Sequence, residues 1–164
     1  LSNALASSLD PDTTLQKLAA FVVPALADYA ITYACEGSRI RRLGWAHRNP
    51  RRVNLVEQLL ASGEPTRDDR HGPGAVIRTG APILARYVTN EMILRAGQNE
   101  RHAAAVLALA PRSSMVVPLE SRGRNIGASC VTSSGTCAQS STMSACVSAA
   151  GALSASALTR SWTG

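Results

Sequence analysis

The stretch "RSSMVVPLESRGRNIGASCVTSSG", residues 112–135, decides the fold. Met115, Val117 and Leu119 alternate along its first half, and Ile126, Ala128 and Cys130 along its second. That spacing is the strand period, in which every second side chain shares a face. Arg122-Gly123 between the two halves makes a turn, so the halves form a hairpin. Val116 and Val131, in the opposite phase, are apolar as well. Both faces of these strands are therefore expected to be covered, which calls for a sheet between two layers.

The rest of the chain supplies the layers. Asp10-Pro11 is a helix start, with Asp as cap and Pro in the first turn. Leu15, Leu18, Val22 and Leu26 follow at helical spacing, and Pro24 is expected to kink that helix or end it early. In "DYAITYACEG", Tyr29, Ile31, Tyr33 and Cys35 alternate as in a strand. Gly37-Ser38 turns the chain into "RIRRLGWAHR", a partner strand with Leu43, Trp45 and His47 on one face. Asn49-Pro50 repeats the cap-plus-proline start, Val53, Val56 and Leu60 give an apolar stripe, and Gly63 ends that helix. A polar loop, "EPTRDDRHGPG", precedes a short helix, "AVIRTG", stopped by Gly80. "APILARYV" reads as a third strand. After "TNEMILRAGQ" comes a helix capped near Asn99, with His102, Val106 and Leu109 on one face and Pro111 closing it. From Thr142 onward, Met143, Cys146, Ala150, Leu153 and Ala157 recur at a/d spacing, a C-terminal helix over 140–161. This order predicts an α+β fold built on an antiparallel sheet. The terminal helices lie on one face and the middle excursion on the other.

Composition narrows the function. The 164 residues fit one domain, and 45% apolar content with only 4% aromatic gives a core of Val, Leu, Ile and Ala. No apolar run is long enough to span a membrane, and no signal peptide is read at the N-terminus. Cys35, Cys130, Cys137 and Cys146 form no CxxC pair, so reduced thiols and a cytoplasmic location are expected, without disulfides or a metal site. The net charge is +6, and Arg39, Arg41, Arg42, Arg48, Arg51 and Arg52 fall together with no acid among them. Such a patch suits nucleic acid or an acidic partner, but no stacking aromatic beyond Trp45 is interleaved, so a solvated strand edge is the plainer reading. There is no GxSxG elbow, P-loop or kinase signature.

Three stretches together resemble a GAF domain. They are "LASSLDPDTTLQKLAAFVVPALADYA", "HGPGAVIRTGAPILARYV" and "RSSMVVPLESRGRNIGASCVTSSG", with the resemblance covering about residues 5–135. It implies a GAF-like central antiparallel sheet of five or six strands, terminal helices on one face, and a ligand pocket with short helices on the other. It also implies one such domain over 1–164, placed in a bacterial signal-transduction protein. After "SSG" the family has an aromatic residue and an acidic, Leu-rich helix. This chain has "TCAQSSTMSACVSAAGALSASALTRS" instead. The cyclic-nucleotide signature of the family and its bilin-anchoring Cys-His pair are both absent.

The expected function is non-catalytic sensing of a small molecule, reported to an output kinase or phosphatase domain. The ligand is unidentified and no cofactor is named. The pocket residues expected are Trp45, His47, His71, Ile77, Tyr87, Met92, Met115 and Val117, a mostly apolar set with a few polar groups to orient a ligand. Packing as ordinary core is the competing reading for Trp45 and Met115. His71 stands beside Gly72-Pro73-Gly74, where a helix N-terminus attracts anions. Isolated histidines carry little weight as haem ligands. Two alternatives stay open. One is a ligand-free module that forms a homodimer through the terminal helices. The other is a thiol-based free methionine sulfoxide reductase, although neither Cys35 nor Cys130, both on strands, has a resolving partner near it in sequence.

Overall fold

The computed structural model describes residues 11–121 and 123–134. The Asp10 cap, the part of Arg122 in its turn, the 140–161 helix, Cys137 and Cys146 lie outside the described residues. The elements run in the order α1 (Pro11–Leu26), β1 (Tyr29–Glu36), β2 (Arg39–His47), a 3-10 turn (Pro50–Arg52), α2 (Val53–Ala61) and α3 (Gly72–Thr79). Then come β3 (Ile83–Ala85), α4 (Asn90–Ala96), α5 (Glu100–Leu109), β4 (Ser113–Ser121) and β5 (Arg124–Ser133). The strands form one five-stranded sheet in the order β2-β1-β5-β4-β3. Every pairing is antiparallel. The hairpin that opened the sequence reading is β4–β5, with Gly123 at φ 73 in its turn. Glycine suits that left-handed conformation because it carries no Cβ.

Several local readings hold. Asn49 accepts the Arg51 backbone N–H at 3.0 Å. Asn99 accepts the His102 N–H at 2.8 Å, starting α5. Gly80 closes α3 at φ 70, its N–H donating to the Val76 carbonyl at 2.8 Å. Two readings need correction. Helix α1 runs through Pro24 to Leu26 instead of ending before it. The proline gives up one helical hydrogen bond to the preceding turn, and Val23, Leu26 and Ala27, packed on the sheet, carry the turn onward despite that loss. The third strand is only Ile83–Ala85, because the chain then leaves the sheet and returns with one bond, Val88 N–H to the Arg112 carbonyl at 2.8 Å.

Two apolar layers enclose the sheet. On one face, Ala19, Val23 and Ala27 of α1 and its exit meet Ala30, Met115, Val117 and Val131. On the other, Val56, Leu59 and Leu60 of α2, Val76 and Ile77 of α3, and Ala105 and Leu109 of α5 meet Tyr29, Ile31, Tyr33, Ile40, Val116 and Ala128. The two phases of alternation in the β4–β5 hairpin thus serve two different cores.

One residue joins the strand ends. Asp28, between α1 and β1, accepts from the Ser133 hydroxyl at 3.0 Å and from the Ser134 N–H at 2.7 Å. Its carbonyl accepts the Arg48 N–H at 2.6 Å, and its carboxylate pairs with the Arg48 guanidinium at 3.8 Å. The starts of β1 and the ends of β2 and β5 are therefore tied at a single carboxylate.

Candidate functional site

The short-helix face carries the site. Both hairpin turns, Gly37-Ser38 and the one at Gly123, lie at the same end of the sheet, because Ala34 pairs with Gly127 across β1 and β5. A cleft of about 390 Å³ opens there, between the two turns and the loop before α3. Cys35 and Gly37 of the first hairpin, Ser121, Arg124, Asn125 and Ile126 of the second, and Arg67 of the loop line it.

The loop that carries Arg67 is held on all sides. The Thr66 N–H and hydroxyl both donate to the Asp69 carboxylate, at 3.0 and 2.7 Å. The Gln98 amide donates to the same carboxylate at 2.7 Å, and the Asn99 amide to the Ser62 carbonyl at 3.0 Å. The Arg78 guanidinium of α3 donates to the Arg67 carbonyl and, at 3.0 Å, to the Asp69 carbonyl. Helix α3 approaches so closely that a Cβ on Gly74 would lie 1.8 Å from the Thr66 carbonyl oxygen. From this fixed backbone the Arg67 guanidinium reaches β1 and donates to the Cys35 thiol at 2.6 Å. The Cys35 thiol in turn donates to the Gly37 carbonyl at 3.3 Å.

Asn125 is a structural wall. Its amide donates to the Val76 and Ile77 carbonyls at 3.2 and 3.0 Å, and its oxygen accepts the Gly127 N–H at 3.2 Å. That use pins α3 to β5 and leaves the amide no spare donor directed elsewhere. Ile126 adds an apolar patch. None of the lining residues is an acid.

The sequence-derived lining does not converge on this cleft. Met115 and Val117 are buried under α1, on the opposite side of the sheet. The alternation was read correctly but its phase was not: Val116 is the β4 residue that faces the short helices. Ile77 is buried in that core, and Tyr87 (84% exposed) and Met92 (43%) point to solvent. His71 is exposed and precedes α3 without a side-chain capping bond. Trp45 and His47 do lie on the short-helix face and are half-buried, with Trp45 packed against the core. The His47 ring stacks on Tyr29 at 5.9 Å between centroids, and its Nδ1 accepts the Asn49 N–H at 2.9 Å. Burial lowers the His47 pKa, with Arg52 acting the same way and Asp28 opposing.

Thiol chemistry finds little support in these positions. Burial pushes the Cys130 thiol up, against weaker hydrogen bonds from Thr132 and Ser114, so it stays protonated and unreactive. Cys130 pairs with Ile31, four residues along β1 from Cys35. That separation is about 13 Å at 3.3 Å per residue, well beyond the 7 Å or so that a disulfide spans. Among the described residues no group of three or more His, Cys, Asp or Glu gathers to hold a metal ion. No helix among them is long and apolar enough to cross a membrane.

The residues that the sequence reading passed over are Arg67, Ser121, Arg124 and Asn125. The arginines beside the β4–β5 turn carried the only local signal. Arg67 sits in a polar loop whose order comes from partners more than 30 positions away, such as Glu64 with Gln98 and Ser62 with Asn99.

No protein-family model matches the chain, and no curated protein matches it. Solved structures do. The GAF domain of a phosphoenolpyruvate-protein phosphotransferase from Acinetobacter is similar over 94% of this chain and 85% of its own, with a TM-score of 0.58 and 16% identity. The GAF-B domain of DevS from Mycobacterium smegmatis aligns over 89% of this chain and 91% of its own, at 0.57 and 14%. The free methionine-R-sulfoxide reductase of Neisseria meningitidis, solved with its substrate, aligns over 92% and 79%, at 0.60 and 17%. At these identities the likeness is one of fold, and the chain has the GAF fold.

Proposed function

We propose that this is a regulatory domain that senses a small molecule and reports to a kinase or phosphatase output domain in a cytoplasmic signalling protein. The observation that carries the reading is the cleft of about 390 Å³ at the hairpin end of the sheet, in the usual size range of small-molecule sites. It combines an apolar wall at Ile126 with polar groups on rigid elements, which is what orientation of a ligand requires. Occupancy of the cleft would bear on both hairpins at once, and a differential affinity for two arrangements of them is what a signal requires.

Native mass spectrometry of the protein as purified tests this. The expected result is extra mass that leaves on denaturation and is reduced in Ile126→Trp, which narrows the cleft. A clean mass in the unaltered protein, with no stabilisation by any member of a metabolite panel, would overturn it.

The shared fold of a free methionine-R-sulfoxide reductase favours an enzymatic reading, and the separation of Cys35 from Cys130 disfavours one built on that pair. Assembly through a bare surface has its own support. Ile83, Leu84, Tyr87, Met92 and Leu94 are all exposed along one stretch of chain at the sheet edge.

A further inference from the structure

We propose that the cleft between the two hairpin turns is a site for a small organic oxyanion, a phosphate monoester or a carboxylate, gripped by Arg67 and Arg124. This rests on the sensing role above and names the chemistry of its ligand.

The argument begins with charge. Two arginines, Arg67 and Arg124, line one cleft, and none of the described residues that line it is an acid. Three neighbouring arginines are engaged: Arg41 pairs with Glu36 at 2.7 Å, Arg39 with Glu64 at 3.3 Å, and Arg78 holds loop carbonyls. Arg67 is different. Its guanidinium offers five donors in a planar fork, and its partner among the described residues is a thiol, which is a weak acceptor. A fork of this kind is matched by the paired oxygens of a carboxylate or phosphate, which would replace the thiol as the better partner.

The second strand of the argument is preorganisation. Helix α3, Gln98 and the Thr66–Asp69 pair fix the backbone that presents Arg67. Arg124 opens β5 directly after the Gly123 turn, so it too stands on a rigid element. The backbone that carries both side chains is therefore in place before binding, and only the exposed guanidinium arms remain to be ordered. Ser121 stands on the same rim, and Ile126 offers an apolar surface to the organic part of the ligand. The volume exceeds what a bare inorganic ion fills, hence an anion carried on a small organic body.

The experiment is calorimetric titration of the 164-residue protein with phenylphosphate, benzoate and inorganic phosphate at constant ionic strength. Arg67→Ala, Arg124→Ala and Arg67→Lys are compared with Arg51→Ala, which removes the same charge from the 3-10 turn outside the cleft. Thermal melts confirm that each variant folds. In parallel, alkylation of Cys35 is followed by peptide mass spectrometry, because a ligand on Arg67 covers that thiol. Phenylphosphate or benzoate is expected to bind more tightly than inorganic phosphate. Which of the two wins separates phosphate from carboxylate. Arg67→Ala and Arg124→Ala should each weaken binding about tenfold or more, Arg67→Lys less, and Arg51→Ala about twofold at most. The bound probe should slow Cys35 alkylation several-fold. Absence of binding to all three probes at millimolar concentration would overturn the proposal, as would an equal loss in Arg51→Ala or unaltered Cys35 alkylation. A carried neutral ligand in the native mass spectrum, together with no anion binding, would leave the sensing role standing and remove this site.

Discussion

Thr32 and Ser129 face each other across β1 and β5, both buried, and neither hydroxyl has a hydrogen-bond partner among the described residues. A buried hydroxyl without a partner keeps the cost of leaving water and gains nothing in return. Thr32→Val keeps the shape and removes that cost. It is expected to stabilise the fold by about 1 kcal/mol, read from urea unfolding. A loss of the same size would mean that the hydroxyl is satisfied. Asp28 is the converse case, with every polar contact in use. Neither residue announces its role in the sequence. Thr32 reads as one more strand position, and the partners of Asp28 at Ser133 are 105 positions away.

At the scale of elements, the close approach of α3 to the loop before it is the feature most sensitive to a single atom. Gly74→Ala would drive a Cβ into the Thr66 carbonyl, a backbone atom that cannot swing aside. We expect a loss of about 1–3 kcal/mol in chemical denaturation, with faster hydrogen exchange in residues 64–70. An unchanged midpoint would show that the loop yields without cost. Helices α1, α2, α3 and α5 and the β1–β2 and β4–β5 hairpins were legible because caps, turns and periodicity are local signals, whereas α4, inside "TNEMILRAGQ", was not read as a helix despite its Thr89 cap. The extent of β3 was not. "APILARYV" has strand-like residues throughout, yet only Ile83–Ala85 find a partner strand, and pairing is a tertiary matter. Pro24 misled for a related reason, since the packing of Val23, Leu26 and Ala27 on the sheet holds the turn that the proline weakens.

For the whole molecule, the α+β class and the two-layered sheet followed from apolar residues in both phases of the hairpin. Which phase faced which layer did not, because alternation fixes relative faces and leaves their assignment to packing. That ambiguity explains the misplacement of Met115 and Val117, and the cleft itself was invisible because its residues meet from three separate segments. The same two-sided burial sets the pH response. His47 and His102 both have lowered pKa values, chiefly from burial, with Asp28 and Asp69 respectively pulling the other way. In the unfolded chain an imidazole titrates near 6.5. Their contribution is therefore complete above about pH 6.5 and is lost as pH falls below it towards the folded values. Protonation would also take the His47 Nδ1 lone pair from the Asn49 N–H. Melting temperature should fall between about pH 7 and pH 5, and less so in His102→Phe. A flat profile would show that neither histidine is linked to folding.

The Asp28 junction has a mechanical consequence. It clamps the last described residue of the chain, Ser134, to the point where α1 hands over to β1. Ser134 is thereby an anchored pivot at the end of β5. A small tilt of α1 across the sheet would turn that pivot as a crank turns a shaft, and displacement of one end of the domain would arrive at the other as torque.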